Sequence, residues 1–421
     1  MTPEAAALFT SVREYLLFSL LILLLAAVSL AFEYNNYKRL TNFDDAIVKA
    51  TVLVQYTKHK NDKTYQVLKL RLENGPSFYT TADLNIRDLS GYNVSLWIKT
   101  DRIGFLDYLK GFFTYSHIES AERLPLWHYQ LSNHIASVHQ DRTIQETYSA
   151  LFTAIPMGKE LRVTLSALGI SHLLAISGFH LGVLSMLLFA LLRLPYRWLQ
   201  ERYFPFRHGK RDLFIIVALL LAVYVLFLGM PPSLLRSFAM LLIGYLLYDR
   251  GLKIISMQTL LLTLLLLIAL WPRLFFNMGF WLSVSGVFYI FLFLIHFSGW
   301  SKRLQFIGIH IWVYGMMLPI ALSIFGIFSL LHPLSIVATI GFVIFYPLTI
   351  FLHIIGLGAL LDPALISLLK GSVEAEQVRL FDGVIVLHLL LSLLSIRYRS
   401  VLWMLMGFSV TVLVSAVYQI T

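Results

Sequence analysis

The sequence predicts a polytopic α-helical membrane protein with a small extracytoplasmic β-barrel domain inserted after its first membrane span. Of the 421 residues, 58% are hydrophobic and 13% are charged, and the mean hydropathy is +0.75. Soluble domains carry about twice this fraction of charged residues. Apolar runs long enough to cross a bilayer recur along the chain, and one polar stretch with strand-like alternation follows the first run.

Composition and motifs exclude several kinds of chemistry. The chain has no cysteine, which excludes disulfides, cysteine zinc sites, iron–sulfur clusters and thiol nucleophiles. The sequence contains neither a Walker-type phosphate loop nor an H-E-x-x-H pair, and its 13 histidines are scattered. We therefore expect no cofactor, no metal site and no enzymatic activity. The formal net charge of +10 suits basic cytoplasmic loops, so it is not by itself evidence for nucleic-acid binding.

The N-terminal segment, residues 1–36, is predicted to hold the first span. Its apolar run over residues 15–32 is long enough to cross a bilayer as a helix. A cleaved signal peptide is the alternative, because Ser29 and Ala31 form a passable cleavage site. The basic region that precedes such peptides is weak here, which favours a retained span.

Residues 37–122 alternate between apolar and polar side chains, as half-buried strands do. Turn residues such as Ser90-Gly91 separate the alternating stretches. Five short strands in about 80 residues are typical of a small barrel such as an OB-fold. The predicted strands are 47–56, 64–72, 76–81, 92–99 and 112–118.

Residues 123–171 change to helical periodicity. Apolar side chains recur there at three- and four-residue spacing, for example Ile144, Tyr148 and Leu151. We expect amphipathic helices that lie on the membrane surface and lead into the second span.

The membrane domain is predicted to occupy residues 172–421, where further apolar runs follow one another. The loop between the second and third spans is rich in arginine and lysine from Arg193 to Arg211, which marks it as cytoplasmic. Counting back from this loop places the β-domain outside the cytoplasm. The runs are 172–192, 213–230, 234–248, 254–271, 275–297, 306–330, 334–361, 380–396 and 400–419.

The charge rule fails near the C-terminus, where counting spans sends Arg397 and Arg399 to the outer side. One run therefore does not cross simply. The candidates are 306–330 and 334–361, each of which contains a proline. A discontinuous helix that lines a cavity and an ordinary helix with an internal proline both explain these residues.

The stretch HLLAISGFH, residues 172–180, is unusually polar for a helix that enters a bilayer. In helical geometry Ser177 and His180 share a face, and Gly178 allows a neighbouring backbone to approach closely. Such a stripe marks either a transport pathway or a packing seam between helices. Intramembrane serine hydrolysis is a third reading, but this spacing seldom aligns a nucleophile with its base.

Arg236 lies a few residues inside an apolar helix that follows Pro231-Pro232. Its side chain either extends to the membrane interface or faces an aqueous cavity. An anionic polymer passing through such a cavity would explain the charge.

The β-domain interleaves cations with aromatic residues, the mixture that single-strand binding platforms use for phosphates and bases. The alternative is that the aromatic side chains form the core of the domain. The candidate nucleic-acid contacts are Tyr56, Lys58, Lys60, Tyr65, Lys69 and Arg71.

The stretch HLLAISGFHLGVL resembles the hallmark of the ComEC competence family, the inner-membrane channels for incoming DNA in bacterial transformation. The lead-in ALFTAIPMGKELRVTLSALGIS, the motif PSLLRSFAM and the segment GFWLSVSGVF are similar to further signatures of this family. Two features depart from it. Residues 335–339 lack the asparagine that many members have, and the chain resembles a short member without the metallo-β-lactamase-like domain.

The resemblance implies a multi-pass protein of the bacterial inner membrane that passes single-stranded DNA into the cytoplasm. It implies as partners a periplasmic DNA receptor, a cytoplasmic ATPase or DNA-processing protein, a separate nuclease and a second copy in a homodimer. A non-conducting DNA receptor and a small-solute permease are the rivals, although no internal repeat of the permease kind is visible. The expected channel-lining residues are Ser177, Gly178, His180, Arg236, Asn277, Ser283 and Ser285.

Overall fold

The computed structural model describes two compact units, which we call the sheet unit and the helical unit. The sheet unit extends to Gln130 and includes Leu262–Trp281, and the helical unit comprises Leu131–Leu261 and Leu282–Thr421. The described residues are 11–60, 63–73, 75–122, 127–250, 256–371 and 375–420, without the side chains of Lys60 and His128.

The sheet unit begins with a long apolar helix and continues into five strands. Its elements are α1 (Val12–Leu40), β1 (Asp45–Lys60), β2 (Lys63–Leu72), β3 (Ser77–Ala82), β4 (Asn93–Lys99), α2 (Phe105–Lys110) and β5 (Ser116–Glu122). The strands lie in the order β3-β2-β1-β4-β5, and all neighbours are antiparallel. The predicted five-stranded sheet is confirmed, although β5 begins later than expected because α2 and Gly111, with φ +97°, precede it.

Closure of this sheet into a barrel is not confirmed. Among the described residues, β3 and β5 share no ladder, and a single parallel bridge joins Tyr79 to Phe113. The first half of β1 pairs with β4 and its second half with β2, with a register shift between Val52 and Val54. Such a bulge bends a strand and increases its twist. The register shift therefore lies where β1 changes its partner from β4 to β2.

One face of the sheet forms the core of the unit. Leu68, Leu70, Leu96 and Ile98 alternate with outward residues along β2 and β4 and are fully buried. Phe78 stacks on Phe112 against this layer, with ring centroids 5.3 Å apart. The period-two pattern that predicted the strands thus also predicted which side chains face inward.

The C-terminal end of α1 packs against α2 and a 3₁₀ turn at Pro272–Phe276. The Tyr37 ring lies 5.7 Å from the Tyr108 ring. One turn before Tyr37, Glu33 forms an ion pair with Arg273, which also donates a hydrogen bond of 3.1 Å to the Tyr108 hydroxyl. Because Glu33, Tyr108 and Arg273 come from three elements, these contacts join the end of α1 to α2 and to the 3₁₀ turn.

The helical unit begins with amphipathic helices, as predicted, and continues into a bundle of apolar helices. The helices α10 and α11 contribute residues to both units. The elements are α3 (Trp127–Val138), α4 (Arg142–Thr153), α5 (Lys159–Ala167), α6 (Ser171–Leu174), α7 (Gly178–Tyr203), α8 (Gly209–Phe227), α9 (Pro232–Asp249), α10 (Met257–Leu270), α11 (Met278–His296), α12 (Lys302–Phe325), β6 (Ile327–Phe328), α13 (Leu334–Ile354), α14 (Asp362–Lys370), β7 (Glu376–Gln377), α15 (Gly383–Ser395) and α16 (Arg399–Ile420).

Six of the described helices are long and apolar enough to cross a membrane, namely α1, α7, α11, α12, α13 and α16. The sequence predicted ten apolar runs. The difference has two causes. The helices α10 and α15 have only 14 and 13 residues, and α8 and α9 contain charged side chains such as Asp212 and Arg236.

The two prolines of the runs 306–330 and 334–361 lie inside continuous helices. Pro319 is within α12, which ends at Gly326 with φ +62°, and Pro347 is within α13. Both helices end before the predicted run does. The structure therefore supports a helix with an internal proline and not a helix that is broken at membrane depth.

We expect Glu33→Gln to lower the free energy of unfolding of the sheet unit by about 1–3 kcal/mol, because it leaves the Arg273 guanidinium largely buried without an anion. Urea unfolding of the detergent-solubilised chain, followed by intrinsic fluorescence, measures this loss. Asp101→Asn is the matched control, because Asp101 pairs at 3.7 Å with Arg102, whose side chain is 95% exposed. That pair should contribute less than about 0.5 kcal/mol. Equal losses in the two variants would contradict the role of Glu33.

Candidate functional site

The polar stretch of residues 171–180 is not one helix. The chain forms the short α6, becomes extended, and starts again as α7 at Gly178. Ser177 caps α7, because its hydroxyl accepts the Phe179 N–H at 3.3 Å while His180 Nδ1 accepts the Ser177 N–H at 3.1 Å. This reciprocal arrangement is a capping box. Ser177 and His180 therefore meet through a helix cap, and the predicted shared helical face is wrong because Ser177 precedes the helix.

His180 is buried between α7 and α13. It is 1% exposed, and its ring lies edge-on to Tyr346 at 4.6 Å and to Phe342 at 5.3 Å. Because Nδ1 accepts a backbone hydrogen bond, the neutral ring carries its hydrogen on Nε2. Within the part of the chain that the structure describes, this Nε2 has no partner. A buried donor is thus available to an acceptor.

Arg236 is the one charged side chain among the predicted pathway residues of the helical unit, and it is 4% exposed. Its guanidinium donates to the Ser283 hydroxyl at 2.7 and 3.0 Å and to the Ser237 hydroxyl at 3.0 Å, and it approaches Met240 Sδ at 3.0 Å. These partners are all neutral. No ion pair to Arg236 exists within the described residues. The side chain therefore faces the interior of the unit and does not extend to the interface.

Gly178 brings the start of α7 against Arg236. A Cβ built on Gly178 would lie 2.5 Å from Ser237 Oγ and 3.4 Å from an Arg236 nitrogen. Only glycine allows this approach without displacing Ser237. Three predicted residues, Gly178, Arg236 and Ser283, therefore meet at one place although they lie on α7, α9 and α11.

Two further serines belong to this cluster, and the sequence reading missed them. The Ser237 hydroxyl donates to the Ser233 carbonyl at 2.8 Å, and the Ser233 hydroxyl donates to the Ile176 carbonyl at 2.6 Å. Their spacing of four residues around Arg236 places them on one side of α9. This four-residue spacing was the sequence signal that could have identified both serines as neighbours of Arg236. Together they tie the first turn of α9 to the extended segment before α7.

Two predicted pathway residues do not join the cluster. Ser285 is half-buried on α11 and lies about 200° around the helix from Ser283, so it points to another side. Asn277 belongs to the sheet unit, where its side chain accepts the Phe280 N–H at 2.9 Å and caps the start of α11.

The geometry suits anion contact better than hydrolysis. The Ser177 hydroxyl lies 3.1 Å from His180 Nδ1, but that nitrogen already accepts a backbone N–H, and among the described residues no carboxylate orients Nε2. The same residues contain no group of three or more His, Asp or Glu side chains able to hold a metal ion. The buried guanidinium and the start of a 26-residue helix instead place two positive potentials together.

The candidate contacts of the β-domain share the outer face of the sheet. Directly opposed residues of an antiparallel pair project to the same side. Lys58 lies opposite Tyr65, Lys69 opposite Tyr79, and the Lys69 ammonium is 5.6 Å from the centre of the Tyr79 ring. Tyr56 and Arg71 lie on this face as well, and Tyr56 is 40% exposed. Lys60 pairs with Lys63 in the backbone, and its side chain lies outside the described atoms.

The comparisons with known proteins identify the family. The sequence model of the family described as Competence protein matches residues 156–421, which include all of the cluster around Arg236. Comparisons with curated proteins and with solved structures gave no match. This family has a role in DNA uptake during competence and is not known as an enzyme family. The match and the six apolar helices are consistent with a multi-pass membrane protein. Because the match covers well over half of its length, the chain belongs to the Competence protein family, as a member of the ComEC type.

Proposed function

We propose that the protein passes single-stranded DNA across the cytoplasmic membrane during natural transformation, and that Arg236 contacts the DNA phosphates on the way. The observation that carries this proposal is the buried Arg236 guanidinium with only neutral partners. An arginine inside an apolar bundle is costly and marks ion or substrate pathways. A passing phosphate supplies the missing anion.

The surroundings of Arg236 favour transient contact over tight binding. The Ser237 and Ser283 hydroxyls satisfy the guanidinium between phosphates, and a hydroxyl can rotate to donate to a phosphate oxygen as one arrives. One cation near the path attracts a polyanion without holding it at many points, which conduction requires. The N-terminal end of the α7 helix dipole adds a weaker positive potential.

The outer face of the sheet is the proposed first contact for the strand. Aromatic rings alternate there with lysine and arginine, which suits stacking of bases and pairing with phosphates. The strand order and the single parallel bridge from Tyr79 to Phe113 support an OB-like arrangement, in which this face binds single strands. The sheet unit lies outside the cytoplasm in this proposal. A periplasmic DNA receptor, a separate nuclease and a cytoplasmic ATPase act before and after it, and a homodimer is compatible with it.

Arg236→Gln should lower the transformation frequency at least about 30-fold, because the neutral amide cannot replace a phosphate contact worth about 2 kcal/mol or more. DNA uptake into the periplasm should stay unchanged. Transformation assays with DNA protection measurements separate the two steps. Arg202→Gln, which removes one exposed charge from α7, is the matched control and should transform normally. Normal transformation by Arg236→Gln at equal expression would sink the proposal.

Gly178→Ala should reduce transformation at least about tenfold, since the new methyl group would displace Ser237 from Arg236 and disturb the pathway. Gly182→Ala on the same helix is the control, because a Cβ there has nothing within 4 Å. Transformation frequency and membrane abundance are measured for both variants. A similar effect of the two substitutions would show that helix packing in general, and not the approach to Arg236, is responsible.

Lys69→Gln should weaken binding of a single-stranded oligonucleotide by the full-length chain and lower the slope of log K against log salt by about 0.7, the value for one phosphate contact. Fluorescence anisotropy at several salt concentrations measures both quantities. Lys159→Gln, an exposed lysine of α5, is the control and should leave the slope unchanged. Equal slopes for wild type and Lys69→Gln would remove the sheet face from the pathway.

A further inference from the structure

A second polar cluster in the helical unit lies where the amphipathic helices meet α13 and α14. His139 follows α3, and its Nδ1 is 3.0 Å from both carboxylate oxygens of Asp362. Its Nε2 faces the Nε2 of His353 at 3.2 Å, and His353 Nδ1 is 2.7 Å from the Thr349 carbonyl oxygen. The His139 side chain is fully buried and that of Asp362 is 13% exposed. Three contacts therefore run in line from a carboxylate through two imidazoles to a carbonyl.

Counting hydrogens shows what this line of contacts requires. The Thr349 carbonyl can only accept, so His353 Nδ1 carries a hydrogen. Each of the other two contacts also needs one hydrogen, whichever atom donates it. The three contacts thus need three hydrogens, whereas two neutral imidazoles and an ionised carboxylate supply two. Without the third, two nitrogen lone pairs would face each other at 3.2 Å.

We propose that His139, His353 and Asp362 form a buried proton-binding site whose one extra proton joins the α3–α4 segment to the end of α13 and the start of α14. With that proton the cluster is neutral overall, because one imidazolium charge balances the carboxylate. This is the arrangement that burial favours. The site takes a proton from water and needs neither metal nor cofactor.

Aromatic and glycine neighbours cover both imidazole rings of the site. The Tyr148 ring of α4 stacks on His139 at 4.4 Å with an angle of 10°, and it lies edge-on to His353 at 4.8 Å. A ring face stabilises an adjacent imidazolium. Burial, and secondarily the Asp362 charge, raises the pKa of Tyr148, so the phenol stays neutral while the cluster titrates. A Cβ on Gly358 would lie 2.9 Å from the His353 ring, which shows how closely the next turn covers it.

The other charged groups on α4, α5 and α14 either pair with one another or are exposed, and none of their ion pairs within the described residues involves the site. Asp141, the cap of α4, pairs with Lys370 at the end of α14, and this ammonium lowers the pKa of the Asp141 carboxyl. The Asp141 carboxylate is therefore held in its ionised form by its partner and does not face His139 or His353. Arg142 and Glu146 pair on the surface of α4 at 3.3 Å. The charged residues of α5, namely Lys159, Glu160 and Arg162, are exposed.

The proton count predicts that docking of α3 and α4 has an optimum near pH 6.5. A solvent-exposed imidazole has a pKa of about 6.5. Above this pH the undocked segments hold two protons and the docked cluster three, so docking weakens up to tenfold per pH unit as pH rises. Below it the undocked imidazoles hold four protons against three, so docking weakens again as pH falls.

Spin labels on engineered cysteines test the proposal in the full-length protein in nanodiscs. The chain has no cysteine of its own, so labels at Asn133→Cys on α3 and Ser367→Cys on α14 are the only ones, and both positions are exposed. Distances measured by electron–electron resonance between pH 5 and 9 should show the docked fraction rising and then falling. His134→Gln, an exposed histidine of α3, should leave this curve unchanged.

Asp362→Asn provides the decisive variant. Its amide donates a hydrogen that does not titrate to His139 Nδ1, so two ring protons suffice for all three contacts. Docking should then be independent of pH above about 6.5, while the acid side remains. His139→Ala should reduce docking at every pH. A wild-type curve without pH dependence, an alkaline decline that persists in Asp362→Asn, or docking that a chelator abolishes would each overturn the proposal.

Discussion

The start of α7 at Gly178 is the constraint on which the site around Arg236 depends. In one continuous helix from His172, Ser177 would have helical backbone angles and could not cap α7. The position of Gly178 beside α9 depends on the break between α6 and α7. The capping box of Ser177 and His180 fixes this break, because it satisfies the first backbone N–H groups only if Ser177 is outside the helix. The absence of a side chain at Gly178 then lets Ser237 approach. Capping and close packing thus place the Arg236 guanidinium beside the N-terminus of α7, where two positive potentials meet.

The sequence located most of this site but could not show how its parts meet. Polar residues within apolar runs pointed to Gly178 and Arg236, the resemblance to the competence family added Ser283, and the structure joins these three. The sequence did not show that α6 and α7 are separate helices, because residues 171–180 are also compatible with one continuous helix. Ser285 looked equivalent to Ser283, but two residues along a helix turn a side chain about 200° away. The sequence therefore predicted candidate residues of the site, and the start of α7 at Gly178 determines which of them are in contact.

Local sequence patterns predict the core of the sheet unit, but they do not predict contacts between residues that are distant in the chain. In the sheet, period-two alternation sets both the strand and the inward face, so Leu68 and Leu70 were predictable as core and Lys69 as outward. Closure of the sheet into a barrel was predicted but is not confirmed, because it requires pairing between β3 and β5, which no local pattern determines. The same holds for His139 and Asp362, which are 223 residues apart. The scattered histidines indicated no site because spacing along the sequence says nothing about contacts across helices.

The helix α13 contacts the buried His180 of α7 and carries His353 of the second polar cluster. Phe342 and Tyr346 contact His180 near the start of α7, and His353 lies seven residues beyond Tyr346, which is two turns along the same face. The Phe152 ring of α4 touches both Tyr346, at 6.3 Å, and His353, at 5.1 Å. The middle of α13 therefore packs against one buried imidazole, His180, and its last turn contacts another, His139, through His353. Tyr148 of α4, Val183 of α7 and Tyr346 of α13 belong to one buried apolar cluster. The surroundings of His180 and of His139 are for this reason parts of one packed core.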